Sequence, residues 1–149
     1  LQNNDRLIVW KAPATFARMT SGDYIPNRGQ IIIFHKVESA EVSVIGERQL
    51  IKRVIGLPGE RVVVDNNEAT VYNTEHPEGF NPDTSGLYTI TAAITPGTVD
   101  ITVPEGEDFV MGDNRTNSLD SRVLGTIRSD EIIGQLSFRI FPFNKAKHY

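Results

Sequence analysis

The sequence predicts an all-β domain with an inserted β-rich subdomain. Three observations lead there. Short apolar runs rich in Ile and Val recur along the 149 residues, helical periodicity is nearly absent, and Gly, Pro and Asn clusters separate the runs at the spacing of turns.

Residues 6–10 open the series. Asn27-Arg28-Gly29 turns the chain into a second run at 30–37, with further runs at 41–45 and 49–57. Leu57-Pro58-Gly59 ends the last of these, because Pro cannot extend a ladder and Gly accepts positive φ. Runs at 61–65 and 68–72 flank Asp65-Asn66-Asn67, and runs at 87–94, 98–103, 108–111 and 132–141 complete the set. One helical turn is expected at Ser129-Asp130-Glu131-Ile132, with Ser129 as its cap. Residues 66–106 differ in character: they hold four of the eight prolines and alternate only weakly. They are read as the insertion, with 76–83 a long surface loop, and 1–65 with 107–149 as the core.

Composition removes several classes of function. Fifteen Lys and Arg against nineteen Asp and Glu leave a formal net charge of −4, and the short basic tail at Lys145 and Lys147 is the first basic cluster. A protein that grips nucleic acid by neutralising phosphates is therefore not expected. Without cysteine there is no disulfide framework, Cys-ligated metal or thiol nucleophile. His35, His76 and His148 are scattered with no pair at ligand spacing, so neither a metal site nor a cofactor is expected. No apolar run approaches the ~20 residues of a membrane helix. The first residue is Leu1 rather than Met, which points to a trimmed or processed chain.

Two stretches concentrate the chemistry. Met111-Gly112-Asp113-Asn114-Arg115-Thr116-Asn117-Ser118-Leu119-Asp120-Ser121-Arg122 packs polar turn-formers behind an apolar strand. It reads as a solvated hairpin loop or as a site. A calcium loop is excluded, since Arg115 falls where a ligand belongs and Ser118 where the turn glycine belongs. The other stretch, Gln49 to Glu60, sets Lys52 and Arg53 side by side in an apolar strand. Faces alternate along a strand, so at least one of these cations lies near buried surface. A desolvated lysine has a lowered pKa and can act as a general base, whereas an arginine needs a carboxylate partner. The alternative is a lysine that snorkels to solvent at a sheet rim.

Lys52-Arg53-Val54-Ile55-Gly56-Leu57-Pro58-Gly59-Glu60 resembles the lysine box of type I signal peptidases, membrane-anchored serine proteases that remove signal peptides from exported proteins. Gly112-Asp113-Asn114-Arg115, followed by Asn117-Ser118 and Asp120-Ser121-Arg122, resembles that family's C-terminal box. Arg28-Gly29-Gln30-Ile31-Ile32-Ile33-Phe34 resembles a further strand box, with Gln30 in place of the usual Asp. The resemblance implies a β-fold of coiled antiparallel sheets and a Ser–Lys dyad. Lys52 would be the general base, and Ser118 would hydrogen-bond it and orient it. Asp113 would pair with Arg53 and Asp120 with Arg122. Ile33, Leu50 and Ile51 would line shallow pockets for small substrate residues. The signal peptide of a preprotein would add as an extended strand beside Gln49–Ile51.

The family's nucleophile box would lie just upstream of Leu1. This chain is thus expected to lack the serine, to be inert alone, and to come from a parent anchored in the membrane with its catalytic domain on the extracytoplasmic side. A membrane surface is the second implied partner, and Trp10, Phe16, Met19, Phe141 and Phe143 would form either a rim resting on it or ordinary core. Two other readings stay open: a homologue that has lost its serine and only binds peptides, and a self-cleaving regulator of the SOS-repressor kind.

Overall fold

Two antiparallel sheets absorb the apolar runs. The structure, a computed structural model, describes residues 6–10, 24–36, 48–141 and 147–148. In chain order its elements are β1 (Arg6–Trp10), β2 (Ile31–Lys36), β3 (Arg48–Gly56), β4 (Arg61–Asp65), β5 (Glu68–Tyr72), β6 (Val99–Thr102) and β7 (Glu107–Met111). A single helical turn, α1 (Ser121–Leu124), precedes β8 (Ile127–Arg128), β9 (Ile132–Phe141) and β10 (Lys147–His148). The larger sheet runs β1-β9-β2-β3-β7-β8, with β10 added against β9, and the smaller runs β5-β4-β6.

Turn chemistry sets the path between the sheets. Glu60 N–H donates to Leu57 O at 3.1 Å, with Pro58 and Gly59 (φ +81°) at the two central positions. This is a type II turn, which needs positive φ at its third residue. The Glu60 carboxylate accepts from both Arg28 terminal nitrogens, at 2.9 and 2.6 Å, and from Leu57 N–H at 2.8 Å. The turn carrying the chain from β3 to β4 is therefore tied to the loop before β2. Asn66 and Asn67 both sit at positive φ, 49° and 64°, and close the β4–β5 hairpin between Asp65 and Glu68. Two such residues in a two-residue loop make a type I′ turn, whose twist suits a hairpin.

Alternation along β3 and β7 explains why the larger sheet is covered on both faces. Ile55, Phe109 and Met111 point toward the smaller sheet and pack with Val62, Val64, Ala69 and Val71. Val54 and Val110 point the other way, into a cluster with Ile32, Phe34, Ile127 and Ile132. Each of these side chains is buried, and those larger than Ala69 contribute ~1.5–3 kcal/mol apiece by the transfer measure. Residues 66–106 supply β5 and β6, which sandwich β4, so β4, β5 and β6 share one core with β3 and β7.

Three expectations need correction. Residues 87–94 form no strand. Leu87 is 61% and Ile94 46% exposed, so the apolar residues of that run have no common face to bury. The helical turn near 129 is a 3-10 turn over Ser129–Glu131 whose cap position is Arg128, and Ser129 N–H instead donates to Gly106 O at 2.9 Å. The loop after Asn117 contains α1, capped by the Asp120 side chain accepting from Arg122 N–H at 3.2 Å; sequence reading left it without a helix. The strand expected at 41–45, and the side chains of Trp10, Phe16, Met19, Phe141 and Phe143, lie outside the described residues.

Candidate active site

The site forms where β7 stops pairing with β3. Strand β3 pairs with β2 from Arg48 to Arg53, but on its other edge β7 pairs only from Arg53 onward, where Arg53 faces Met111. Val54 N–H donates to Gln30 O, and Val54 O accepts from Gly29 N–H, both at 2.8 Å. By alternation, Leu50 and Lys52 also direct their backbone groups toward β2, while Gln49 and Ile51 direct theirs to the opposite edge. Among the described residues no strand covers that edge. Beyond Met111 the chain turns at Gly112 and loops back past Ser118 to α1. A cleft of about 190 Å³ lies in the angle, lined by Ile51, Lys52, Arg53, Gly112, Asp113 and Ser118 among others.

Lys52 lies on the same strand face as Leu50 and Val54, the side of the second apolar cluster. Burial is the largest influence on its ammonium and holds the pKa below that of an ordinary lysine. The carboxylates of Asp120 and then Asp113 pull the other way, and Arg122 adds to the lowering. Each carboxylate is already engaged by an arginine fork, which explains why burial prevails. Arg53 donates from Nε to Asp113 Oδ1 at 2.7 Å and from Nη2 to Oδ2 at 2.6 Å. Arg122 donates from Nε to Asp120 Oδ1 at 2.9 Å and from Nη2 to Oδ2 at 2.8 Å. Among the described residues Lys52 has no salt-bridge partner. A half-buried amine beside neutralised carboxylates can release its proton far more readily than one in water.

Ser118 stands on the neighbouring wall of the cleft, but the hydrogen bond to Lys52 expected of it is not made. Its Oγ is buried without a hydrogen-bond partner of ordinary geometry among the described residues. It nevertheless lies near enough to Asp120 to help Arg122 and the Gly112 N–H, which donates to Asp120 Oδ2 at 3.0 Å, outweigh burial and keep that carboxyl below its usual pKa. A hydroxyl left unpaired inside a protein is costly unless something visits it. Gly112 brings the two groups together: a Cβ on it would fall 2.6 Å from Ser118 Cβ and 3.7 Å from Lys52 Cδ. Only a residue without a side chain allows the serine to settle there.

The structure thus brings Lys52, Ser118, Arg53, Asp113 and Ile51 to one cleft, with Asp120 and Arg122 engaging the loop behind it. Ile33 pairs across from Ile51 on β2 but is itself buried, and Leu50 packs toward the opposite face against the second cluster. Gln49 is exposed on the open edge. Two residues of the Gly112-Asp113-Asn114-Arg115 motif take roles the sequence did not assign: Gly112 is the surface on which Ser118 rests, and Arg115 is 1% exposed and donates from Nε to Gly112 O at 3.1 Å. The signal for both was their place in that motif. Among the described residues no group of three or more His, Asp or Glu is placed to hold a metal ion, and no helix is long and apolar enough to cross a membrane.

An all-β scaffold with a desolvated lysine beside a serine in a cleft bordering an open strand edge is the arrangement of a hydrolase that takes extended peptides, and comparison with known proteins agrees. The family described as "Signal peptidase, peptidase S26" matches residues 1–141. Signal peptidase I U of Bacillus subtilis (strain 168) is 32% identical over 148 residues, covering 99% of this chain and 72% of the relative. Signal peptidase IB of Staphylococcus aureus is 31% identical over 132 residues, covering 81% of this chain and 64% of the relative. A crystal structure of a signal peptidase I from Enterococcus faecalis V583 superposes with a TM-score of 0.52 at 28% identity, over 74% of this chain and 96% of that one. The chain belongs to the signal peptidase family, peptidase S26.

Proposed function

We propose that this chain is the catalytic domain of a serine endopeptidase that removes N-terminal signal peptides from exported preproteins. The observation that carries the reading is a lysine whose pKa burial lowers, lining the same cleft as a buried serine hydroxyl. Neutral Lys52 takes the proton of the nucleophilic serine hydroxyl. The serine oxygen then attacks the scissile carbonyl, and the same proton passes from Lys52 to the departing amine; water, deprotonated by Lys52, then hydrolyses the acyl-serine, and the proton returns to the serine oxygen. Ser118 steers the amine, while Asp113 and Asp120 hold the two arginines of the loop. The open edge at Gln49 and Ile51 supports binding of the signal peptide as an added strand, with its backbone satisfied by theirs and its small side chains set against Ile51, Ile33 and Leu50.

In this reading 66–106 is an insertion into a core made of 1–65 and 107–149. The domain works on the extracytoplasmic side of a membrane to which the parent is anchored, and it rests against the membrane surface. The test uses the full-length parent chain and a preprotein whose signal peptide ends in Ala-x-Ala. Cleavage after the second alanine is expected, with at least a thousandfold loss in Lys52→Ala, in the range typical for removing the base that activates a nucleophile. Cleavage that persists in Lys52→Ala overturns the reading.

A further inference from the structure

The stretch from Asp83 to Pro96 has almost no regular structure, yet three arginines from the motif-bearing segments reach into it. Both terminal nitrogens of Arg115 bond the Asp83 carboxylate, with Nη2 to Oδ1 at 2.5 Å, and Nη1 also donates to Thr95 Oγ1 at 2.7 Å. Tyr88 OH donates to Asp83 Oδ1 at 2.7 Å, and its ring lies under the Arg53 guanidinium, 4.7 Å from Cζ to centroid. Arg122 Nη1 donates to Pro96 O at 2.7 Å. The arginine contacts are long-range: Asp83 and Arg115 stand 32 residues apart.

Two side chains meet at one residue, Gly112, on its two flanking peptide groups. Asp120 holds the Gly112 N–H and Arg115 holds the Gly112 C=O, and it is against Gly112 that Ser118 and the Lys52 stem pack. A buried ion pair is weak grounds for stability, because apolar side chains of similar size usually serve as well. A two-pronged carboxylate–guanidinium pair does fix both distance and plane, which an apolar contact cannot do. We propose that Asp83 is a positioning residue for the cleft: through Arg115 it fixes the Gly112 carbonyl, and through Gly112 it sets where Ser118 stands relative to Lys52. The inserted segment is then part of the catalytic apparatus without touching substrate. The inference rests on the Ser–Lys reading above.

The test is kinetic and uses the full-length parent with a fluorogenic peptide carrying Ala-x-Ala, assayed well below the melting temperature of each variant. Asp83→Asn keeps the shape and removes the charge. The expected result is a fall in kcat of about 10–100-fold with KM within about twofold, since small misplacements of reacting groups cost that much. A folded Asp83→Asn enzyme with parental kcat overturns the inference, whatever its melting temperature. Should that variant fail to fold, Tyr88→Phe removes only the hydroxyl that anchors Asp83; a severalfold fall in kcat supports the inference and an unchanged kcat overturns it. The outcomes separate the two readings. Activity that survives Lys52→Ala removes the dyad and the positioning role together. An enzyme that needs Lys52 but keeps parental kcat in Asp83→Asn removes the positioning role alone.

Discussion

Asp113 grips Arg53 with both carboxylate oxygens, at 2.7 Å to Nε and 2.6 Å to Nη2, and borders the same cleft as Lys52. The pair has two functions that substitution can separate. Arg53 is nearly buried, with its remaining bond from Nη1 to Gly29 O at 2.7 Å, so it needs a counter-charge. Lys52 feels the residual negative field of the same carboxylate, which raises its pKa against the larger lowering by burial.

Asp113→Asn should therefore act on stability and on pH dependence in different ways. Losing the counter-charge of Arg53 should cost about 1–3 kcal/mol, measured by chemical unfolding. Removing a negative neighbour makes the charged amine less favourable, so the Lys52 pKa falls further. Since the base works in its neutral form, the acid limb of the kcat/KM profile of the parent enzyme should move to lower pH. A limb that moves to higher pH would mean that Asp113 does not act on Lys52 as described.

Gly112 offers a steric test of the same site. An added Cβ would meet Ser118 Cβ at 2.6 Å, closer than real contacts allow, so either the loop or the serine has to move. Gly112→Ala should destabilise the fold by about 1–3 kcal/mol, as overpacking does. It should also cut cleavage by the parent enzyme at least tenfold while leaving the strands intact by circular dichroism. A variant with parental activity would show that the closeness of Ser118 to Gly112 is unimportant.

How much of this was legible beforehand follows from the range of the interactions. Runs such as 61–65 and 68–72 declare themselves because β-branched alternation and an Asn-Asn turn are local, and β4 and β5 appear with those bounds. The run at 87–94 misled because its apolar residues serve no face; Tyr88 is instead held by nearby Asp83 and by Arg53, a partner remote in sequence. Lys52 and Ser118 were legible through motifs in the right order. The surface beneath them was not: a buried Arg115 contradicts the ordinary expectation that charge faces water, and only coordinates show the Asp83 carboxylate that resolves it. The Asp120 cap of α1 was missed because its neighbours read as loop.

Asp108 carries the remaining prediction, and it concerns stability rather than chemistry. Its side chain on β7 is 1% exposed, and its Oδ1 has no hydrogen-bond partner among the described residues. Burial alone pushes its pKa up to about 7, and its charge in turn helps burial raise the pKa of the Tyr24 phenol. The sign follows from proton linkage. In the unfolded chain Asp108 releases its proton near pH 4, whereas in the folded chain it keeps it until about pH 7, so the folded state binds more protons between those values. Stability from this group is therefore greatest below about pH 4 and declines as pH rises toward 7. Asp108→Asn removes the ionisation at nearly constant shape. It should raise unfolding free energy at pH 8 by about 2–4 kcal/mol and change it little at pH 4. Urea unfolding of both proteins at the two pH values measures the difference directly, and an equal effect at pH 4 and pH 8 would show that the buried carboxyl does not titrate in this window.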